Sequence, residues 1–356
     1  MSAGAATTDT SLLNPHPAMA IETLYDKDGS LEPLQGKTIA VLGYGSQGHA
    51  HAQNLRDSGL TVVVANRAES ANGKLAKEHG FDPMPVADAV KQADLIAVAL
   101  PDEVQPDVYE ADIAPNLTAG KTLLFTHGFN IHFKTIEPPA DVDVVMVAPK
   151  GPGHTVRWEY ERGGGVPALM AVHQDASGSA RDTALAYAIG VGGGKGGILQ
   201  TTFKDECETD LFGEQVVLCG GLSESIKRGF EVLTEAGYPE ELAYFEVCHE
   251  LELIINLIKR GGLDYMRYSI SNTAEFGDYY TGPKIVNDET KQRMREALTH
   301  IQDGSFAKAF RDDYANGFEW FKQQRKENAG HEVEQVGREL RKAMPWLDPV
   351  EIKPGD

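Results

Sequence analysis

The chain is short of cysteine and of basic residues, and it has no long apolar run. Its three cysteines, Cys207, Cys219 and Cys248, are odd in number and form no C-x-x-C. That speaks against a disulfide framework or a zinc cage and for a reducing compartment, so a cytoplasmic location is expected. No stretch approaches the roughly 20 apolar residues needed to cross a bilayer. No Lys or Arg precedes Lys27, so the usual marks of a secretory signal or an Arg-rich transit peptide are missing, and residues 1–23 read as a flexible leader. Against 33 Lys and Arg stand 53 Asp and Glu, a formal charge of −20. Such a chain has no counter-charge to offer nucleic acid or an anionic membrane, and neither is expected as a partner.

What is abundant is acid, and some of it stands where acid should not. Asp210/Glu214 and Glu246/Glu250 are each four residues apart in stretches with helical periodicity. One face of the second stretch runs Leu242, Glu246, Glu250, Leu253, Leu257; the first collects Asp210, Glu214, Val217, Leu218, Gly221 and Leu222. Both pairs are therefore expected to face a core. Chance alone gives roughly eight acid pairs at this spacing, most of them solvated, so the apolar neighbours carry the argument. Buried carboxylates need a partner, and a divalent metal is a strong candidate.

At 356 residues the chain is long for one core, and two domains are expected. From Lys37 to about Ile198, apolar β-rich runs (KTIAVLG, TVVVAN, DLIAVALP, KTLLF, DVVMVAPKG, PALMAVH) alternate with helical ones. That pattern describes a parallel sheet covered on both faces. After the glycine cluster GVGGGKGG the texture becomes helical to Met344, with a boundary near residue 202. The predicted organisation is a leader over 1–23, a nucleotide domain over 24–202, an all-helical domain over 203–345 and a tail over 346–356.

Gly43-Tyr44-Gly45-Ser46-Gln47-Gly48 is G-x-G-x-x-G directly after the strand TIAVL and directly before a helical run. In that context the first glycine allows a tight turn, the second lets backbone approach a pyrophosphate, and the third packs helix on strand. A Rossmann-type dinucleotide site is expected. At the end of the second strand, where an NAD site usually carries an acid, stand Asn66 and Arg67, and Arg67 favours a 2′-phosphate. Ser70 and Asn72 could bond the same phosphate or simply cap the next helix, while Glu69 would repel it unless turned away. His127 and Lys150 follow the strands KTLLF and DVVMVA at their carboxyl ends, the side on which ligands sit in open parallel sheets. His49, His51 and His132 read as structural.

Seven motifs then carry a resemblance, in order, over about residues 24 to 345. GYGSQGHAHAQNLRDSG, Asp102-x-x-Gln105, HGFNIHF, PKGPGHTVR, DLFGEQ, YFEVCHELELI and YSISNTAEFGDY resemble ketol-acid (acetohydroxy acid) reductoisomerases of the short form. The resemblance implies a knotted-type helical second domain and NADP(H) with two Mg2+ as cofactors. It implies Asp210, Glu214, Glu246 and Glu250 as metal ligands, the two glutamates coming from a partner subunit, so that a homodimer is the smallest active unit. Tyr44 to Gln47 match the pyrophosphate loop, Arg67, Ser70 and Asn72 the adenosine-phosphate loop, and Asp102, Glu103, Val104 and Gln105 a later cofactor contact. His127 and Lys150 match active-site positions, Gly153 the loop beside them, and Ser271 a substrate contact.

The implied reaction moves an alkyl group in 2-acetolactate or 2-aceto-2-hydroxybutyrate and then reduces the 3-keto group with NADPH. A metal-bound water or Glu250 would take the 2-hydroxyl proton. Where the family commonly has Gly-Leu-Arg and a serine, this chain has Ala65-Asn66-Arg67 and Asn72, departures that bear on cofactor preference and not on the reaction. Two other readings compete. A 3-hydroxyacid or 6-phosphogluconate type dehydrogenase also joins a nucleotide domain to a helical one, and a non-catalytic nucleotide-binding protein could share the fold; neither needs four inward acids.

Overall fold

The computed structural model describes residues 21–347 and 349–350. The expected leader up to residue 20, and position 348 and 351–356 of the expected tail, lie outside the described residues. The chain divides into two compact units, one ending at Glu206 and one starting at Cys207.

Among the described residues the first unit has eight strands: β1 (Thr23–Leu24), β2 (Thr38–Leu42), β3 (Thr61–Ala65), β4 (Leu95–Val98), β5 (Thr122–Phe125), β6 (Asp143–Pro149), β7 (Ala168–Gln174) and β8 (Ile198–Gln200). They form one sheet in the order β1-β8-β7-β6-β5-β4-β2-β3. Between β2 and β6 the connections are helical: α1 (Ser46–Asp57), α2 (Ala71–Glu78), α3 (Val86–Gln92), α4 (Gln105–Val108) and α5 (Phe129–His132). After β6 come α6 (Gly153–Glu161), α7 (Ala180–Gly190) and α8 (Gly193–Gly196).

The Val-, Ile- and Leu-rich runs are strands because both their faces are covered. Alternate residues Ile39, Val41, Leu95, Ala97, Leu124, Val145 and Val147 pack on one face with Ala52 and Leu55 of α1 and Ala184 and Leu185 of α7. Their neighbours Ala40, Leu42, Ile96, Val98, Leu123, Phe125, Val144 and Met146 pack on the other with Ala89 and Val90 of α3. This is the period of two that a pleated strand imposes. Each such side chain withdrawn from water contributes about 1.5 to 3 kcal/mol.

From β3 to β6 the strands are parallel as expected, but β7 runs antiparallel to β6 and β1 antiparallel to β8. The sheet is therefore mixed, with a parallel centre. The connection after β6 brings the chain back to the end of the sheet it left, where Ala168 re-enters opposite Pro149. Strand order changes direction at β2, whose neighbours are β3 and β4, which puts the ligand crevice of such sheets at the carboxyl ends of β2 and β4.

The second unit is helical. It takes up the end of α9 (Phe203–Gly213) and continues with α10 (Gly220–Glu235), α11 (Glu240–Tyr244), α12 (Leu251–Ser269), α13 (Asn272–Ile285), α14 (Asp288–Gln302), α15 (Ser305–Ala315), α16 (Glu319–Ala329) and α17 (Glu332–Lys342). A π turn, Glu214–Leu218, joins α9 to α10, and another, Phe245–His249, joins α11 to α12. Phe230, Ala243, Tyr244 and Val333 form a small core, with Ile226, Leu233, Val247 and Leu340 against it. Many large apolar side chains stay uncovered, among them Val217, Leu218, Leu242, Leu253, Phe276, Tyr280 and Ile285. Among the described residues no helix is long and apolar enough to cross a membrane.

Candidate active site

In the first unit, β2 ends at Leu42 and the chain turns through Gly43 at φ +93° before α1 begins at Ser46. A Cβ on Gly43 would stand 2.7 Å from the Ala99 carbonyl oxygen, and one on Gly48 would collide with the carbonyl oxygen of Gly43. A Cβ on Gly45 would meet nothing within 4 Å. So Gly48 brings α1 down onto the turn, and Gly45 leaves its outer side open. Those are the tasks a pyrophosphate cradle sets its glycines.

The loop after β6 clasps this helix start. Gly153 N donates to Ser46 Oγ at 3.1 Å and Gln47 Nε2 to the Gly151 carbonyl at 2.9 Å. A Cβ on Gly153 would fall onto the Ser46 carbonyl oxygen, so only glycine permits the approach.

At the end of β3, Arg67 and Glu69 are exposed and Asn66 and Ser70 half-buried. The Ser70 hydroxyl accepts from Gly73 N at 3.0 Å and donates to the Arg67 carbonyl at 2.7 Å. It is the N-cap of α2, which is the capping role weighed above. Asn72 is exposed in the first turn.

At the ends of β4 to β6 the polar groups interlock. Asp102 Oδ2 lies 3.0 Å from His127 Nδ1. Gln105 Nε2 donates to Asp102 Oδ1 at 3.2 Å, and Asn130 Nδ2 to Gln105 Oε1 and to the Asp102 carbonyl, both at 2.9 Å. Glu103 and Val104 are half-buried in the same turn. Lys150 Nζ reaches Glu206 Oε1 at 2.9 Å, and Gly128 N donates to Glu206 Oε2 at 2.8 Å. Glu206, 1% exposed, thus links the strand-end loops that carry His127 and Lys150. Sequence reasoning missed Glu206, and also Asn130. A signal existed: Glu206, Asp210 and Glu214 recur every four residues, and only the last two were singled out.

The four acids of the second unit depart from expectation. Asp210 is half-buried, while Glu214, Glu246 and Glu250 are exposed. Val217, Leu218, Leu242 and Leu253, placed on the same faces by the sequence pattern, are exposed too, so the described residues leave them uncovered. Both pairs fall at π turns, where Cys219 N bonds the Glu214 carbonyl at 3.0 Å and Glu250 N the Phe245 carbonyl at 3.1 Å. Such turns are rare and concentrate at functional sites. Ser271 caps α13, its hydroxyl accepting from Ala274 N at 3.2 Å.

Residues 33–197 match the family model described as acetohydroxy acid isomeroreductase, NADPH-binding domain, and residues 203–346 the one described as ketol-acid reductoisomerase, C-terminal domain. The chain belongs to the ketol-acid reductoisomerase family. A solved NADH-preferring ketol-acid reductoisomerase from an uncultured archean is 49% identical, with TM-score 0.88, over 90% of this chain and 98% of that one. A semialdehyde dehydrogenase NAD-binding protein from Cupriavidus necator is 19% identical over 76% of this chain and 99% of that one, with TM-score 0.57. A pyrroline-5-carboxylate reductase from Coxiella burnetii is 12% identical over 75% and 98%, with TM-score 0.53. The last two share the fold alone. As a ketol-acid reductoisomerase family member the chain is an NAD(P)-dependent oxidoreductase and isomerase of branched-chain amino acid biosynthesis, acting on a small molecule.

Proposed function

We propose that the chain converts 2-acetolactate or 2-aceto-2-hydroxybutyrate, with magnesium and NADPH, into the 2,3-dihydroxy acids that lead to valine and isoleucine. The observation that carries this is the meeting, at neighbouring strand ends, of a glycine turn suited to a dinucleotide with the Asp102–His127 and Lys150–Glu206 pairs. A carboxylate only accepts, so Asp102 favours the His127 proton on Nδ1 and makes Nε2 the basic nitrogen. Glu206 fixes the Lys150 ammonium, a positive charge placed to steady negative charge on the substrate.

Asp210, Glu214, Glu246 and Glu250 offer carboxylate oxygens alone, the donor set magnesium takes. When bound, two magnesium ions would polarise the keto and hydroxyl oxygens of the substrate, and NADPH would supply hydride. Glu250 is a candidate to take the 2-hydroxyl proton, and Ser271, whose capping hydroxyl still has a proton to donate, to hold the substrate. The uncovered apolar faces flanking both acid pairs support a homodimer in which Glu246 and Glu250 of one protomer complete the site of the other. The NADPH preference rests on Arg67, because the Ser70 hydroxyl already serves the α2 cap.

The test is NADPH oxidation with 2-acetolactate in magnesium and in EDTA. Activity undiminished in EDTA would sink the two-metal reading. Glu246→Gln is expected to abolish the magnesium-dependent step while NADPH still binds; loss of both would assign Glu246 to folding.

A further inference from the structure

The turn between β2 and α1 has one side chain, and glycines flank it. Tyr44 is 1% exposed, and its ring meets those of His49, His79 and Phe81 at centroid distances of 6.3, 5.9 and 5.8 Å. Its hydroxyl lies 2.9 Å from His79 Nδ1. His79 follows α2, with its N–H bonded to the Leu75 carbonyl at 3.0 Å, and its own carbonyl accepts from Arg56 Nη1 of α1. The far end of α2, whose start is the Ser70 loop, is therefore tied to the phosphate turn.

We propose that His79 is a positioning residue for the dinucleotide: by accepting the Tyr44 hydroxyl it holds the Gly43–Gly45 turn in the shape that meets the pyrophosphate. This rests on the nucleotide-binding reading given above. The turn needs such a hold. Glycines on both sides leave its backbone with more freedom than other residues would, and donors already aimed at a ligand bind it better than donors that must be ordered on arrival. Polarity agrees with the direction of the bond. Burial pushes the Tyr44 hydroxyl up to about 12, so it keeps its proton and donates. Burial, and then the nearby His49, hold His79 below its ordinary value, so it is neutral at pH 7 and Nδ1 can accept.

Tyr44→Phe keeps the ring and removes only the hydroxyl. Titration of the full-length protein with NADPH, followed by nucleotide fluorescence, is expected to show Kd raised about three- to tenfold for Tyr44→Phe and for His79→Ala, the range that loss of one hydrogen bond allows. The double variant should be no weaker than the weaker single, His79→Gln should recover part of the loss, and KM for NADPH should rise with kcat unchanged. A wild-type Kd in Tyr44→Phe, or additive effects in the double variant, would overturn the inference. A wild-type protein that binds neither NADPH nor NADH would defeat the nucleotide reading, and this inference with it.

Discussion

Gly153→Ala is the sharpest test of how the first unit is assembled. The added methyl would fall onto the Ser46 carbonyl oxygen and lie 2.9 Å from Gln47 N. Both neighbours are main chain in the first turn of α1, so neither can swing aside as a side chain would. The loop must lift instead. Lifting removes the bonds from Gly153 N to Ser46 Oγ and from Gln47 Nε2 to the Gly151 carbonyl, about 1 kcal/mol each. Residual crowding adds about 1 to 3 kcal/mol. A total loss of about 3 to 5 kcal/mol lowers the thermal midpoint by roughly 10 °C for a domain of this size. Because the displaced turn belongs to the proposed pyrophosphate cradle, the Kd for NADPH should rise as well. Thermal unfolding followed by circular dichroism, with an NADPH titration of the folded protein, measures both. An unchanged midpoint would show that the loop does not rest on α1 as described.

Two further outcomes follow, one from a buried side chain and one from an exposed one. His51 is fully buried beside the Tyr187 hydroxyl at 3.0 Å, and burial, then the charge of His49, lowers its pKa to about 4. The unfolded chain therefore binds the extra proton between about pH 6.5 and pH 4, and stability falls as pH drops through that window, by roughly 3 kcal/mol in all. Urea midpoints measured across it should slope less steeply in His51→Gln; equal slopes would refute the assignment. Leu253→Asp places a charge on an exposed apolar stripe and should halve the sedimenting mass if that stripe joins two protomers; an unchanged mass would remove it from the interface.

The sequence carried the nucleotide unit well because its signals are local. A strand, one glycine turn and a helix start lie within GYGSQG and its flanks, and the clash at Gly48 is the reason that position reads as glycine. The β-rich runs were legible because both sheet faces demand apolar side chains. The antiparallel entry of β7 was not, since strand direction is set by the path of the connection before it and not by the strand's own residues. Ser70 was ambiguous in sequence because one hydroxyl suits a phosphate and a helix cap equally. Glu206 escaped because its partners, Lys150 and the Gly128 N–H, come from distant strand ends. The four acids show the opposite failure: periodicity set them beside apolar residues expected to be covered, yet among the described residues Val217, Leu218, Leu242 and Leu253 are exposed.

The π turns at Glu214–Leu218 and Phe245–His249 each hold one residue more than an α-helical turn needs. Each works as an angular spacer. Removing that extra residue would let the helix close its ordinary ladder and leave what lies beyond in its present orientation, whereas closing the ladder with the residue kept would turn everything beyond by about 100°. The side chains before the turn and those after it keep their relation only while the turn absorbs its extra residue. A substitution that straightens the turn while keeping every acid and every apolar residue would thus uncouple the two sides of each turn.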